Sequence, residues 1–264
     1  RYDTYKGVFS AMEKGGKPVI MEPMEYNVWR APTDNDRRIR LVWEEAGYDR
    51  MMVRTYETSW EKKDGNVEII TELSQAAIFI QPFLRIQARW TVNGAGVVTM
   101  NLDVKKDPEF PFLPRFGLRM FLPKDRNQAR YCGMGPEESY VDKHQSCRHG
   151  IFEGSAESFY VPYIKPQENG SRYDCDYVEV SGDGLSLFAA GSREICFNLS
   201  CYTQEELTKK AHRFELEESP YTVLCLDYAQ SGIGSNSCGP DLLEKYRFDE
   251  EEFSWELTLV PEAE

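Results

Sequence analysis

"AIFIQPFLRIQARWTVNGAGVVTMNLDVKK" occupies residues 77–106. Its apolar residues alternate or come in short bursts, and "VNGAG" (92–96) divides them. Alternation at a period of two marks a half-buried strand. Asn and Gly supply the positive φ of a hairpin turn at little steric cost. The stretch therefore reads as two antiparallel strands and a turn. The pattern recurs in "GNVEIITEL" (65–73), "LSLFAAG" (185–191) and "FSWELTLV" (253–260), with a second turn at "VSGDGL" (180–185). These runs predict an all-β domain of many antiparallel strands in two large sheets, face to face.

Helical spacing is convincing in two short places. "IRLVWEEAGYD" (39–49) puts Leu41, Val42, Glu45 and Ala46 on one period and stops at Gly47, a residue suited to a left-handed cap. "TQEELTKKA" (203–211) opens with a capping box, Thr203 and Glu206 each placed to satisfy the other's amide. "KKDPEFPFLPRFG" (105–117) is proline-rich, yet Phe110, Phe112 and Phe116 are too apolar for a free linker. It reads as a crossing segment that enters the next strand. No linker divides residues 1–264, which are read as a single domain.

The 264 residues are 41% hydrophobic, 13% aromatic and 28% charged, with a net charge of −13. The aromatic content favours sheet. The acidic balance argues against nucleic acid or an anionic membrane as partner, and no apolar run is long enough to span a bilayer. The start at Arg1 suggests an excised piece of a longer chain. Seven cysteines in a chain of this size, with no CxxC pair, read as reduced thiols and point to a reducing cytoplasm. His144, His149 and His212 make a weak ligand set, so no metal site is expected.

Four loops carry the residues that could do chemistry. In "NVWRAPTDND" (27–36), Pro32 holds Ala31 extended. Either Arg30 pairs with a carboxylate while Asp34, Asn35 and Asp36 tie down the turn, or Arg30, Asp34 and Asn35 face a polar cleft. "YCGMGPEESYVD" (131–142) holds two adjacent carboxylates, Glu137 and Glu138, which an extended chain points to opposite sides. "FYVPYIKPQENGSR" (159–172) offers Tyr160, Tyr163, Glu168, Asn169 and Arg172. Flat rings beside amides and charges suit a sugar, and equally suit a tyrosine-rich turn. "GIGSNSCGP" (232–240) exposes amides with Asn236, Ser237 and Cys238, but lacks the spacing of a phosphate cradle.

Taken in order, "NVWRAPTDNDR", "YCGMGPEESYVDK", "VPYIKPQENGSR", "FNLSCYTQEEL" and "GIGSNSCGP" resemble the C-terminal, or small-chain, domain of large bacterial β-galactosidases of glycoside hydrolase family two. The resemblance runs from about residue 7 to the end. It implies an antiparallel supersandwich like galactose mutarotase. It also implies that the parent's two catalytic glutamates, its magnesium and its sodium lie on other domains. No catalytic residue and no cofactor is therefore assigned to this chain. The late loop, which in the family brings a tryptophan to the sugar pocket, has Cys238 near that place and is one residue shorter. Asn236, Ser237 and Cys238 are expected at the pocket wall, with Arg30, Asp34, Asn35, Tyr163, Glu168, Asn169 and Arg172 as further ligand-facing candidates.

The expected function is that of a non-catalytic domain. It would complete the pocket for a β-galactoside or galactose, contact the other domains of its own chain and support a homo-oligomer. A free-standing carbohydrate-binding module and an aldose 1-epimerase with a Glu/His pair are the alternatives.

Overall fold

The computed structural model describes residues 1–234 and 239–263. In chain order the strands are β1 (Tyr2–Asp3), β2 (Val8–Phe9), β3 (Met12–Lys14), β4 (Lys17–Ile20), β5 (Glu25–Asn27), β6 (Met52–Lys63), β7 (Asn66–Ala76), β8 (Leu84–Val92) and β9 (Val98–Lys106). They continue with β10 (Arg115–Leu122), β11 (Gln128–Gly135), β12 (Arg148–Ser155), β13 (Arg172–Cys175), β14 (Tyr177–Gly182), β15 (Leu185–Gly191), β16 (Ile195–Ser200), β17 (Thr222–Gln230) and β18 (Glu252–Ala263). The helices are α1 (Ile39–Glu45), α2 (Ala156–Phe159) and α3 (Gln204–Lys209).

Nine strands form an antiparallel sheet in the order β12-β11-β14-β15-β18-β9-β8-β7-β6. Five form a second sheet, β13-β16-β17-β10-β5. The hairpin turns fall where Asn and Gly place them. Asn93 Oδ1 accepts from the amides of Ala95 (2.9 Å) and Val97 (3.0 Å), and Asp183 and Gly184 both take positive φ between β14 and β15. Strand β8 begins only at Leu84, because Phe79 turns the chain at φ 65° with its ring in solvent. The crossing segment 105–117 leaves the large sheet and enters the small one at β10, tethered by Trp43 Nε1 to Phe112 O (2.9 Å) and Tyr48 OH to Pro111 O (2.7 Å).

Aromatic side chains join the sheets. Tyr131 on β11 meets Phe197 on β16 at 5.1 Å between ring centres, and Phe253 on β18 meets Phe116 at 5.3 Å and Tyr228 at 4.6 Å. Edge-to-face and offset contacts of this kind add to the apolar area removed from water. Strands of the large sheet keep one wet face, so β8 alternates buried and exposed residues along most of its length. The small sheet is covered on both sides, and eight of the nine residues of β17 are buried. At the far edge of the large sheet, β6 is mostly exposed and carries Trp60 in solvent.

Two helices form where expected, with a difference at each, and a third was not expected. Helix α1 buries Trp43, while Leu41 and Val42 face outward; the hydrogen bond of the indole to the crossing segment decides which face turns in. Gly47 does take the left-handed conformation at its end, φ 79°. At α3, Thr203 Oγ1 accepts from the Glu206 amide (3.1 Å), but Glu206 turns away to the Glu217 amide (2.8 Å), so only half of the capping box is made. The four-residue α2 has no apolar period to announce it; Ser155 caps it through the Ser158 amide (3.2 Å).

Six cysteines lie in the described residues, all unpaired, with Cys175, Cys196, Cys201 and Cys225 buried. Burial pushes the Cys196 thiol up to about 12 and the Cys201 and Cys225 thiols up to about 11. They pack as small apolar groups.

Gly117 sits at the bulge between β10 and β17, after Phe116. A Cβ there would meet the Leu226 carbonyl oxygen at 2.2 Å and the Asp227 Cα at 2.6 Å. Gly117→Ala is expected to lower stability by about 1–3 kcal/mol, the usual cost of overpacking. Urea unfolding would show a lower midpoint at unchanged slope; an unshifted midpoint would mean that the strands part freely.

Candidate functional site

The four loops singled out above converge. The late loop leaves β17 at Ser231, and Arg30 of the "WRAPTDND" loop donates to the carbonyls of Ser231 and Gly232, the latter at 3.0 Å. Asn35 Nδ2 donates to Ile233 O (2.6 Å). From the third side, Asp142 accepts from the amides of Ile233 (2.9 Å) and Gly234 (2.7 Å). A Cβ at Gly232 would meet the Asp142 carboxyl at 2.5 Å, so a larger residue there would push that carboxyl aside. The 159–172 loop is stitched to the first by Glu168 N to Ala31 O (2.9 Å) and Asp34 N to Gln167 Oε1 (2.8 Å). Ser139 N to Ser171 O (2.9 Å) joins it to the second.

Two buried ion clusters hold this base. Arg30 has no exposed surface and forks onto Asp36, Nη2 to Oδ1 at 2.8 Å and Nε to Oδ2 at 3.2 Å. The same Asp36 carboxylate accepts from the Thr33 amide (2.9 Å), closing the turn. Beneath it, Arg115 bridges Asp227, through Nε at 3.1 Å and a short Nη2 contact, and Glu168, through Nη1 at 3.2 Å. Gln230 donates to Asp227 (2.9 Å) and Ser171 to Glu168 (3.0 Å). Burial pushes the Glu168 and Asp227 carboxyls up, and Arg115 opposes that rise. Burial alone would pull Arg115 down; Asp227 and then Glu168 outweigh it and hold the guanidinium charged.

The sequence-derived candidates thus separate. Arg30, Glu168, Asn169 and Arg172 are buried. Asn169 closes its own loop, accepting from the Val161 amide (3.0 Å) and donating to Gln167 O (2.8 Å). Arg172 lies 4.3 Å from the Phe159 ring centre and donates to Tyr131 OH (2.9 Å). Asp34 is exposed, and Asn35 and Tyr163 are half-buried. Tyr163 joins Glu138 and Lys143: the Tyr163 hydroxyl and the Lys143 ammonium both donate to Glu138, whose other oxygen accepts from the Gly170 amide (2.8 Å). Glu137 is exposed and Glu138 buried, as opposite-facing neighbours should be. Asn236, Ser237 and Cys238 lie outside the described residues.

Sequence reasoning passed over Asp142, Arg115 and Asp227. Asp142 reaches the late loop about ninety positions away and Arg115 meets Asp227 one hundred and twelve positions away, with no local signal. Beside the late loop is a cavity of about 270 Å³ lined by Asp36, Arg38, Phe112, Asp241, Leu242 and Arg247. A second cavity, of about 310 Å³, is lined by Met24, Asn27, Trp29 and Arg119 and touches none of the candidates. A retaining glycosidase needs two carboxyls about 5 Å apart on either side of a glycosidic bond. The buried carboxylates of these loops are instead taken up by Arg30, Arg115 and Lys143. The arrangement shapes and stiffens a surface.

Arg115→Met would leave two buried carboxyls unpaired and is expected to cost about 3–5 kcal/mol. Without the guanidinium both carboxyls rise further. A raised carboxyl favours folding below its unfolded value and loses that contribution as pH climbs through the folded value. The deficit against the parent sequence should therefore widen from pH 5 to pH 8. Chemical denaturation at both values checks this, and a deficit independent of pH would mean that the carboxyls stay ionised.

The family described as Beta galactosidase small chain matches residues 1–259. A β-galactosidase of Actinobacillus pleuropneumoniae is 45% identical over 98% of this chain, and one of Staphylococcus xylosus is 36% identical over 92%. The matches take up 25% and 24% of those proteins, so the chain spans about a quarter of the length of the curated relatives it matches. Among solved structures, a TPR-domain containing protein from Parabacteroides distasonis aligns over 98% of this chain and 44% of its own, with TM-score 0.50 and 7% identity, a likeness of fold alone. A putative aldose 1-epimerase from Escherichia coli K12 aligns over 99% of this chain and 94% of its own at TM-score 0.48 and 10% identity, too loosely to carry an argument. The ordered loop motifs, the two-sheet antiparallel fold and the match over almost every residue agree: this chain belongs to the β-galactosidase small-chain family.

Proposed function

We propose that this chain is a non-catalytic wall of a retaining β-galactosidase of glycoside hydrolase family two. It completes the pocket for a terminal β-galactoside, while the reactive carboxylates, the magnesium and the sodium belong to other domains of the parent. The observation that carries the reading is the three-sided clamp on the late loop by Arg30, Asn35 and Asp142. A loop fixed at its root by buried charge can place its tip against a substrate without reorganising, and such positioning lowers reaction barriers. Asp34, Asn35 and Tyr163 keep solvent-facing surface on the same cluster and are the polar groups suited to meet a sugar rim. The same domain also supports the parent's oligomeric assembly.

The purified 264-residue chain is expected to show no turnover of a nitrophenyl β-galactoside. Enzyme-like turnover would refute the division of labour. In the parent enzyme, Asp142→Ala is expected to lower kcat/KM by roughly ten- to hundredfold through a displaced loop, with the global unfolding midpoint little changed. Unaltered kinetics would remove the loop from the pocket.

A further inference from the structure

One side-chain cluster stands apart from the loop clamp. Strands β11 and β12 pair with Cys132 opposite Ile151 and Met134 opposite His149. Residues two apart on a strand share a face, so Cys132 and His149 emerge on the same side as diagonal neighbours. Asp176 arrives from the turn between β13 and β14, pinned by its own amide to Cys132 O at 2.8 Å. Its Oδ2 lies 3.0 Å from Cys132 Sγ and 3.7 Å from His149 Nε2. One ligand atom from each of the three residues lies within 4.8 Å of the others. His149 and Asp176 are exposed and Cys132 half-buried, so an ion could enter directly from solvent.

Zinc bound by sulfur at about 2.3 Å and by nitrogen and oxygen at about 2.0–2.2 Å sets its tetrahedral ligands roughly 3.3–3.8 Å apart. The Asp176–His149 separation of 3.7 Å falls within that spacing, the Asp176–Cys132 separation of 3.0 Å is shorter than it, and Cys132 and His149 stand within 4.8 Å, so the three side chains adjust to seat the ion. The donor set of thiolate, imidazole and carboxylate is one that zinc accepts and that magnesium, which prefers oxygen, does not. We propose that Cys132, His149 and Asp176 form a site for a single thiophilic divalent cation of the zinc class, with water as the fourth ligand. Binding replaces the thiol proton, which leaves to solvent, with a metal–sulfur bond. The ion would fasten β11, β12 and the β13–β14 turn together. Sequence spacing hides the site, because its ligands stand at positions 132, 149 and 176 on three segments.

Cobalt(II) titrated into the untagged chain under a non-thiol reductant tests this. One equivalent should produce a thiolate-to-cobalt charge-transfer band and the visible bands of a tetrahedral ion, both bleached by zinc. Cys132→Ser should abolish the charge-transfer band, and Cys147→Ser should leave it. His149→Ala should weaken binding by at least the roughly ten- to hundredfold that loss of an outer-shell partner costs. These residues are partly or fully solvent-facing, so the variants should keep the parental circular dichroism. The absence of a band, its survival in Cys132→Ser, or an unchanged affinity in His149→Ala would each reduce the cluster to a surface hydrogen bond between a thiol and a carboxylate.

Discussion

A single guanidinium, Arg115, is the constraint on which much of this architecture rests. It stands at the first position of β10, where the crossing segment becomes an interior strand of the small sheet. From there it holds Asp227 of the neighbouring β17 and Glu168 of a loop that belongs to neither strand. Charges so deeply buried are tolerated when paired and further hydrogen-bonded, and Ser171 and Gln230 add bonds to the two carboxylates. Such a cluster contributes little net stability against an apolar one of equal shape. It contributes specificity: a guanidinium that demands two carboxylates at set angles admits one register of β10 on β17 and one path for the 159–172 loop.

That rigidity passes outward to the surface. Glu168 is bonded through its backbone to Ala31, so the loop anchored by Arg115 also anchors the "WRAPTDND" turn. Arg30 in that turn, with Asp36 behind it, reaches the carbonyls at the root of the late loop. The chain from buried charge to loop root runs through three neighbouring segments, joined to one another by hydrogen bonds. The surface so formed keeps its shape through hydrogen bonds inside the protein.

How much of this could be read from the sequence depended on the range of the interaction. Strands with one wet face declared themselves by alternation, as β8, β9 and β18 show. Strand β17 did not, because it is covered on both faces and its one acidic residue, Asp227, looks out of place until Arg115 is seen beside it. Arg30 and Asp36 are six residues apart, near enough for a turn to pair them, and the carboxylate pairing was one of the two readings left open. The partner of Glu168 lies fifty-three positions away and that of Asp142 ninety-one. Burial of Glu168, Asn169 and Arg172 was therefore not legible from a loop that looks polar and aromatic, where a sugar site and an internal tie use the same residue types. Helix α1 shows the same limit on a smaller scale: Trp43 turns inward because of Phe112, a residue beyond any helical window.

The exposed edge of the large sheet has a consequence for how the molecule behaves in company. Strand β6 ends a nine-stranded ladder with twelve residues whose outer backbone groups could accept another strand. Two features guard against that. The register slips between Thr55 and Glu57, which kinks the strand, and its last residues run Glu61, Lys62, Lys63 beside the solvent-facing Trp60. Bulges and charges of this kind act as gatekeepers, so the molecule can carry a long sheet with an open border and still resist template-driven fibril growth.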